Sequence, residues 1–256
     1  MRKLLSAVTI TCLAVGLCAA PAFSQMNKKF EGKLVRSEKV LGAPVFANDG
    51  RIGEIKEVIF DENTGGVSRA IISMGGYLGI GDKLTAVEWD KFTANRAEDD
   101  NYKFVMTADK ATLMKEPSFA ENNWPDLKQG WQGENIKDKK LVRLSKTNEV
   151  QLFDKNGKEI GNIKDLMIDA ESGRVAYAVV SFSDDFINKG DKLTMIPWPL
   201  VRQSEQATTG FVLHTEKEQI EKADFFAPNE WPNVNDMVWN KTVYDHYEVT
   251  PFWTGA

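Results

Sequence analysis

The chain has 256 residues, 27% of them charged, and a formal net charge of −5. Positive and negative side chains are mixed along it, which argues against nucleic-acid partners, because a phosphate backbone needs many clustered Lys and Arg contacts. Its two cysteines, Cys12 and Cys18, and its two histidines, His214 and His246, leave little for a thiol or imidazole site.

The first residues read as a processing segment. Arg2 and Lys3 form a basic start, residues 4–20 are apolar and small, and Ala22-Phe23-Ser24 offers a cleavage site before Gln25. This predicts a signal peptide over 1–24, removed on export. The apolar stretch is short for a membrane span of about 20 residues, and no stop-transfer pattern follows. Neither cysteine has the small preceding residues of a lipoprotein site. Cleavage would remove both cysteines, take the formal charge to −7 and place the chain in the bacterial periplasm, without a membrane span.

The rest of the sequence is written twice. Asp49-Gly50-Arg51-Ile52-Gly53-Glu54-Ile55 returns as Asn156-Gly157-Lys158-Glu159-Ile160-Gly161-Asn162-Ile163. Gly81-Asp82-Lys83-Leu84-Thr85-Ala86-Val87-Glu88-Trp89 returns as Gly190-Asp191-Lys192-Leu193-Thr194-Met195-Ile196-Pro197-Trp198, and Trp124-Pro125-Asp126 as Trp231-Pro232-Asn233. A period this long marks a duplicated domain and not a short solenoid unit. The copies span 34–127 and 141–234, with a polar linker over 128–140 and a tail over 235–256. Two domains of about 100 residues each suit the length. Their offset drifts from 107 to 109 and back, as insertions in turns do.

Within each copy the periodicity is that of strands. Asn48-Asp49-Gly50 and Lys155-Asn156-Gly157 signal hairpins. Residues 55–60 and 163–168 turn apolar on both faces, as a strand buried on both sides does. Turns rich in Asp and Gly (61–66 and 169–173) lead to β-branched strands over 67–74 and 175–182. In the next strand Thr, Val or Ile, and Trp share one face, and Trp89 and Trp198 are expected in the core. Pro197 and Pro199 predict an edge or a bulge there in the second copy. A last strand (104–107 or 211–215) runs into a short helix. Ala111, Leu113 and Met114, or Ile220 and Ala223, would form its apolar face, and Thr215-Glu216-Lys217-Glu218 reads as a capping box. About five short strands and one helical turn per copy predict a small barrel.

These residues resemble the PRC-barrel family, known from the reaction-centre H subunit and from a ribosome-maturation protein. The likeness rests on Leu-Val-Arg, Asp-Gly-x-x-Ile-Gly-x-Ile-x-x-Val-x-x-Asp, the Ala-Ile-Ile or Ala-Val-Val strand, and Leu-x-x-Val/Ile-x-Trp, in that order and twice. It implies a mainly β chain of two tandem, strongly bent barrels, each with a short C-terminal helix, that docks on a partner. It implies no reaction, no cofactor and no shared catalytic residues.

Candidate chemistry is sparse. Asp154-Lys155-Asn156-Gly157 opens like a calcium loop but lacks the later ligands, as does Asp61-x-Asn63-x-Gly65. Asp61 with Asp169, and Asp82 with Asp191, read as turn carboxylates more readily than as acid–base pairs. Residues 75–81 are glycine-rich but lack a P-loop ending and open no helix. His214 reads as a surface or edge residue. No catalytic, cofactor or metal residue is assigned. The tail, with Trp239, Tyr244, His246, Tyr247, Phe252 and Trp253 in the last eighteen residues, either docks back on the body or meets a partner. The reading is a non-catalytic, exported scaffold that docks on another protein or a second copy in the cell envelope. The alternative is a binder of a small molecule or metal ion, or an enzyme, with its site between the barrels.

Overall fold

A computed structural model describes residues 33–48, 50–74, 83–97, 101–129, 139–204 and 210–254. The predicted signal peptide, Asp82, the 75–81 loop and most of the linker lie outside them. The first copy supplies β1 (Leu34–Arg36), β2 (Pro44–Ala47), β3 (Gly50–Asp61), β4 (Val67–Met74), β5 (Lys83–Glu88), β6 (Phe92–Arg96), β7 (Tyr102–Met106) and β8 (Ser118–Phe119), with helices α1 (Ser37–Val40) and α2 (Lys110–Leu113). The second supplies β9 (Leu141–Arg143), β10 (Val150–Phe153), β11 (Glu159–Asp169), β12 (Arg174–Phe182), β13 (Leu193–Pro197), β14 (Val201–Gln203), β15 (Phe211–Leu213) and α3 (Lys217–Glu221); α4 (Met237–His246) follows.

Each copy curls into a barrel-like sheet, in the order β6-β7-β2-β3-β4-β5-β8 and β13-β12-β11-β10-β15-β14. The curl comes from the long strand. β3 against β4 shifts register between Ile55 and Glu57 and again between Ile59 and Phe60. β11 against β12 does so at the matching places, Ile163/Asp165 and Met167/Ile168. Bulges at two fixed points bend a strand hard enough to bring its ends onto neighbouring strands. The Ile-Gly motif serves the same bend: a Cβ on Gly53 would lie 2.0 Å from the Ser73 carbonyl, and one on Gly161 2.2 Å from that of Ser181. The motif places a glycine where backbones touch.

The two copies do not fold separately. β1 leaves its own copy and pairs with β11, Leu34 opposite Asp169 and Arg36 opposite Met167. β9 returns the exchange on β3, Arg143 opposite Ile59 and Leu141 opposite Asp61. One hydrophobic cluster runs through both copies, from Leu34 and Phe60 to Trp198 and Leu213. The sequence boundaries 34–127 and 141–234 thus divide the repeats but not the sheets. The doubly apolar end of each long strand now has its reason. Val58 and Phe60 enter the shared core, while Ile59 on the other face joins Ile71, Leu84 and the exchanged Leu141.

Several details differ from the sequence reading. β6 and β14 are strands that the periodicity did not reveal. Met114 does not join the face of α2 but stands 65% exposed, and Leu113 alone anchors that turn. The expected capping box does not form: the Thr215 hydroxyl bonds Gln219 Oε1, and Glu216 stands at the N-cap of α3 without a side-chain capping bond. β13 does end its sheet path, at Pro197, as the prolines suggested.

Candidate functional site

The exchange creates a seam whose two sides repeat one another, as across a two-fold axis. Trp89 Nε1 donates to the Ala170 carbonyl at 3.3 Å, and Trp198 Nε1 to the Glu62 carbonyl at 2.9 Å. Val67 N donates to the Gly173 carbonyl and Val175 N to the Gly65 carbonyl, at 2.7 and 2.8 Å. Gly65 and Gly173 have φ of +73° and +63°, and each lies under the tryptophan of the other copy. The two tryptophans expected in the core are buried, and each also reaches across to the other copy.

Each exchanged strand carries an arginine onto a buried carboxylate. Arg143 Nε donates to Glu57 Oε2 at 2.8 Å, and Arg36 Nε to Asp165 Oδ2 at 2.8 Å. Serines complete both cradles: Ser145 N and Oγ donate to Glu57, and the Ser37 hydroxyl bonds Asp165. Outward, each guanidinium lies on an indole, Arg143 3.8 Å from the Trp124 ring centre and Arg36 4.2 Å from that of Trp231. The repeated Trp-Pro motif thus supplies the outer wall of an arginine site.

Beside each stacked arginine opens a cleft. One, of about 710 Å³, is lined by Leu141, Arg143, Lys146, Asn148 and Phe211, with Leu127 at its rim. Its counterpart, of about 500 Å³, is lined by Leu34, Arg36, Lys39, Arg96 and Tyr102, with Val234 at its rim. Leu-Val-Arg and the lysine that follows line both, as do Leu127 and Val234, each three residues after the Trp of its Trp-Pro motif. Sequence reading quoted these motifs but could not see that they meet, because each cleft draws on both copies.

The turn carboxylates are held locally. Asp169 accepts from Glu171 N, Ser172 N and the Ser172 hydroxyl. Asp61 accepts from Asn63 N and the Thr64 hydroxyl, and also from Lys140 N of the supposed linker. Asp154 Oδ1 accepts from Asn156 N and Lys158 N, as a turn residue does. Asp191 and His214 are exposed. Among the described residues no group of three or more His, Cys, Asp or Glu could hold a metal ion.

The tail docks on the body. Asp236 caps α4 by accepting from Val238 N and Trp239 N. Tyr244, Tyr247 and Trp253 are buried, while Trp239, His246 and Phe252 are half-buried. The Tyr244 hydroxyl donates to the Ala176 carbonyl at 3.0 Å, and the Tyr177 hydroxyl to Asn240 Oδ1 at 2.6 Å. Trp253 packs edge-on against Tyr244, with centroids 5.0 Å apart. Burial pushes the Tyr177 and Tyr244 hydroxyls far above the usual tyrosine pKa. The tail residues that sequence reading offered to a partner spend most of their apolar surface on β12, β13 and one another.

No helix among the described residues is long and apolar enough to cross a membrane. The chain matches no curated protein. The family model of the PRC-barrel domain matches it twice, over residues 33–113 and 140–219. Together these stretches cover well over half of its length, and the chain belongs to the PRC-barrel domain family as a tandem of two such domains.

Proposed function

We propose that this chain is a non-catalytic, exported protein that docks on a partner protein in the cell envelope, and that the paired clefts are its contact sites. The observation that carries the reading is the duplication of one cleft around one shared hydrophobic core. Arg36 with Lys39, and Arg143 with Lys146, set positive side chains beside an indole in a chain that is acidic as a whole. A partner segment with acidic side chains matches that chemistry, and two like sites on one chain would bind a repetitive or dimeric partner with gain from valency. The large hydrophobic side chains that stand exposed among the described residues are Met114 and Val238, one in each half, so recognition would be polar. Export rests on the predicted signal peptide.

A photocrosslinking amino acid placed at Lys39, at Lys146 and, as a control, at Lys222 tests the reading in the native envelope. The expected result is the same protein adduct from both cleft positions and none from the control. No adduct at either cleft, or equal adducts at all three positions, would overturn it. A second reading, small-molecule binding in the same clefts, is favoured by their volumes, which fall within the roughly 300–1,000 Å³ of ligand pockets.

A further inference from the structure

The two clefts are alike in outline but not in how their cations are engaged. In the cleft of about 500 Å³, Arg36 Nε donates to Asp165 Oδ2 at 2.8 Å and Nη1 pairs with Glu38 Oε1 at 2.9 Å. Lys39 Nζ donates to Asn101 Oδ1 at 3.3 Å, and Arg96 has a partner within the chain. In the cleft of about 710 Å³, Arg143 uses only Nε, on Glu57 Oε2, and neither Nη group has a hydrogen-bond or ion-pair partner among the described residues. Lys146 is exposed and has none among them either. Glu149, the carboxylate that lines this cleft, is paired with Lys164 at 2.7 Å.

The difference traces to one position. Leu34 to Lys39 align with Leu141 to Lys146, so Glu38 stands where the second copy has Ser145. The Ser145 hydroxyl bonds Glu57 and brings no charge to Arg143. Glu57 at the Nε edge and the Trp124 ring, 3.8 Å from the guanidinium, fix the plane of Arg143 and leave its Nη edge without a partner in the chain. A planar fork held in this way matches a carboxylate bidentately, and a side chain already fixed has less freedom to lose on binding. Arg36 has the same two supports, but Glu38 already neutralises its outer edge. An exposed ion pair is weak, so Glu38 competes with an incoming carboxylate without shutting it out.

We propose that the two clefts are unequal: a carboxylate side chain of the partner binds first at Arg143, with Lys146 beside it, while Glu38 is a built-in competitor that weakens the cleft at Arg36. This rests on the docking reading and gives its two sites an order. Calorimetric titration of the full chain with hexaglutamate tests it, with hexaglutamine as the uncharged comparison. Hexaglutamate is expected to fill one strong site and one several-fold weaker, and hexaglutamine neither. Arg143→Lys keeps a charge for Glu57 but loses the fork, and should weaken the strong site about tenfold, the usual loss for one hydrogen bond to a charged group. Lys146→Gln, at an exposed side chain without a partner among the described residues, should weaken it several-fold and leave the melting temperature unchanged. Glu38→Gln should leave the strong site as it is and tighten the weak one several-fold. No saturable hexaglutamate binding, two equal sites in the unaltered chain, or an unchanged isotherm in Arg143→Lys or in Glu38→Gln would each overturn the proposal. The docking reading fails separately: a lack of crosslinks at both Lys39 and Lys146 would end it even if the peptide titrates as expected, whereas two equal peptide sites would leave it standing.

Discussion

The two halves of the molecule agree at the seam and differ on their outer faces. At the seam each copy sets an Nε1 donor on the other's turn carbonyl, an exchanged Leu-Val-Arg strand on the other's long strand, and an arginine between a buried carboxylate and an indole. On the outside, Tyr177 stands in β12 where β4 has Arg69, and Met195 in β13 where β5 has Ala86. The second copy covers this face with the tail, through Tyr177, Asn240 and Tyr244. The first covers Ile59, Ile71 and Leu84 with Phe119, Trp124 and Leu127, although the pairing of Phe119 on the edge of β5 recurs in the second as Phe226 on Leu193. What both halves need in order to close is kept in both, and what each needs only for cover has gone its own way.

The strongest way to break this comparison is to remove a seam tryptophan. Trp89→Ala and Trp198→Ala should each cost about 3–5 kcal/mol, the usual price of an excised buried indole. Because the core is shared, urea unfolding of either variant should remain one transition, with both halves losing stability together. Two separated transitions, one shifted and one not, would show that the halves are independent. Within the same seam, Gly173→Ala should be worse than Gly65→Ala. Its added Cβ would lie 2.2 Å from Trp89 Cδ1, whereas that on Gly65 lies 2.8 Å from the Val175 carbonyl and 3.0 Å from Trp198 Cδ1.

The next test concerns the carboxylate cradles. Glu57 accepts from Arg143 Nε, from Ser145 N and Oγ, and from Val58 N. Asp165 holds Arg36 Nε, the Ser37 hydroxyl and Leu166 N. Replacing either by leucine takes the buried partner from an arginine that is only partly exposed, although Arg36 keeps Glu38 at 2.9 Å, so the cost should be about 2–4 kcal/mol, somewhat below that of breaking a fully buried pair. Glu57→Leu should cost more than Asp165→Leu, since it orphans one more donor. Chemical denaturation midpoints of the two variants check the order, and equal or reversed costs would place the stabilisation elsewhere in the cradle.

Much of this was legible beforehand, because local chemistry decides it. Asp-Gly and Asn-Gly turns, alternation, and the doubly apolar end of each long strand follow from residues close in sequence, and so did the barrel resemblance. The exchange was not legible. Leu-Val-Arg is the same strand whether it pairs with its own copy or the other, and repeated halves make the two pairings indistinguishable by pattern. The clefts were hidden for the same reason, since Arg143 and Trp124 come from different copies. α4 was missed because its aromatics are spread over both a helix and the coil after it. Met114 was misjudged because a single helical turn can bury only one such side chain.

The smallest effect expected distinguishes the two turn carboxylates. Asp61 and Asp169 occupy matching turns, but the exchanged strand gives Asp61 a further donor, Lys140 N at 3.0 Å. Asp169 is confined to its own turn, and burial raises its pKa above the ordinary aspartate value, only partly offset by the bonds from Ser172 and Glu171. A carboxyl that holds its proton more firmly folded than unfolded contributes stability at pH below its unfolded pKa. That contribution is lost as pH rises through the folded pKa, because the unfolded chain has by then released the proton that the fold must still give up. Asp169→Asn cannot ionise and escapes the loss. Relative to the unaltered chain, the variant should therefore gain stability as pH rises through the acidic range and keep a small advantage at neutral pH. Denaturation midpoints at a series of pH values read this directly. A variant that falls further behind as pH rises would mean that the Ser172 and Glu171 bonds outweigh burial, and that the two turns are alike after all.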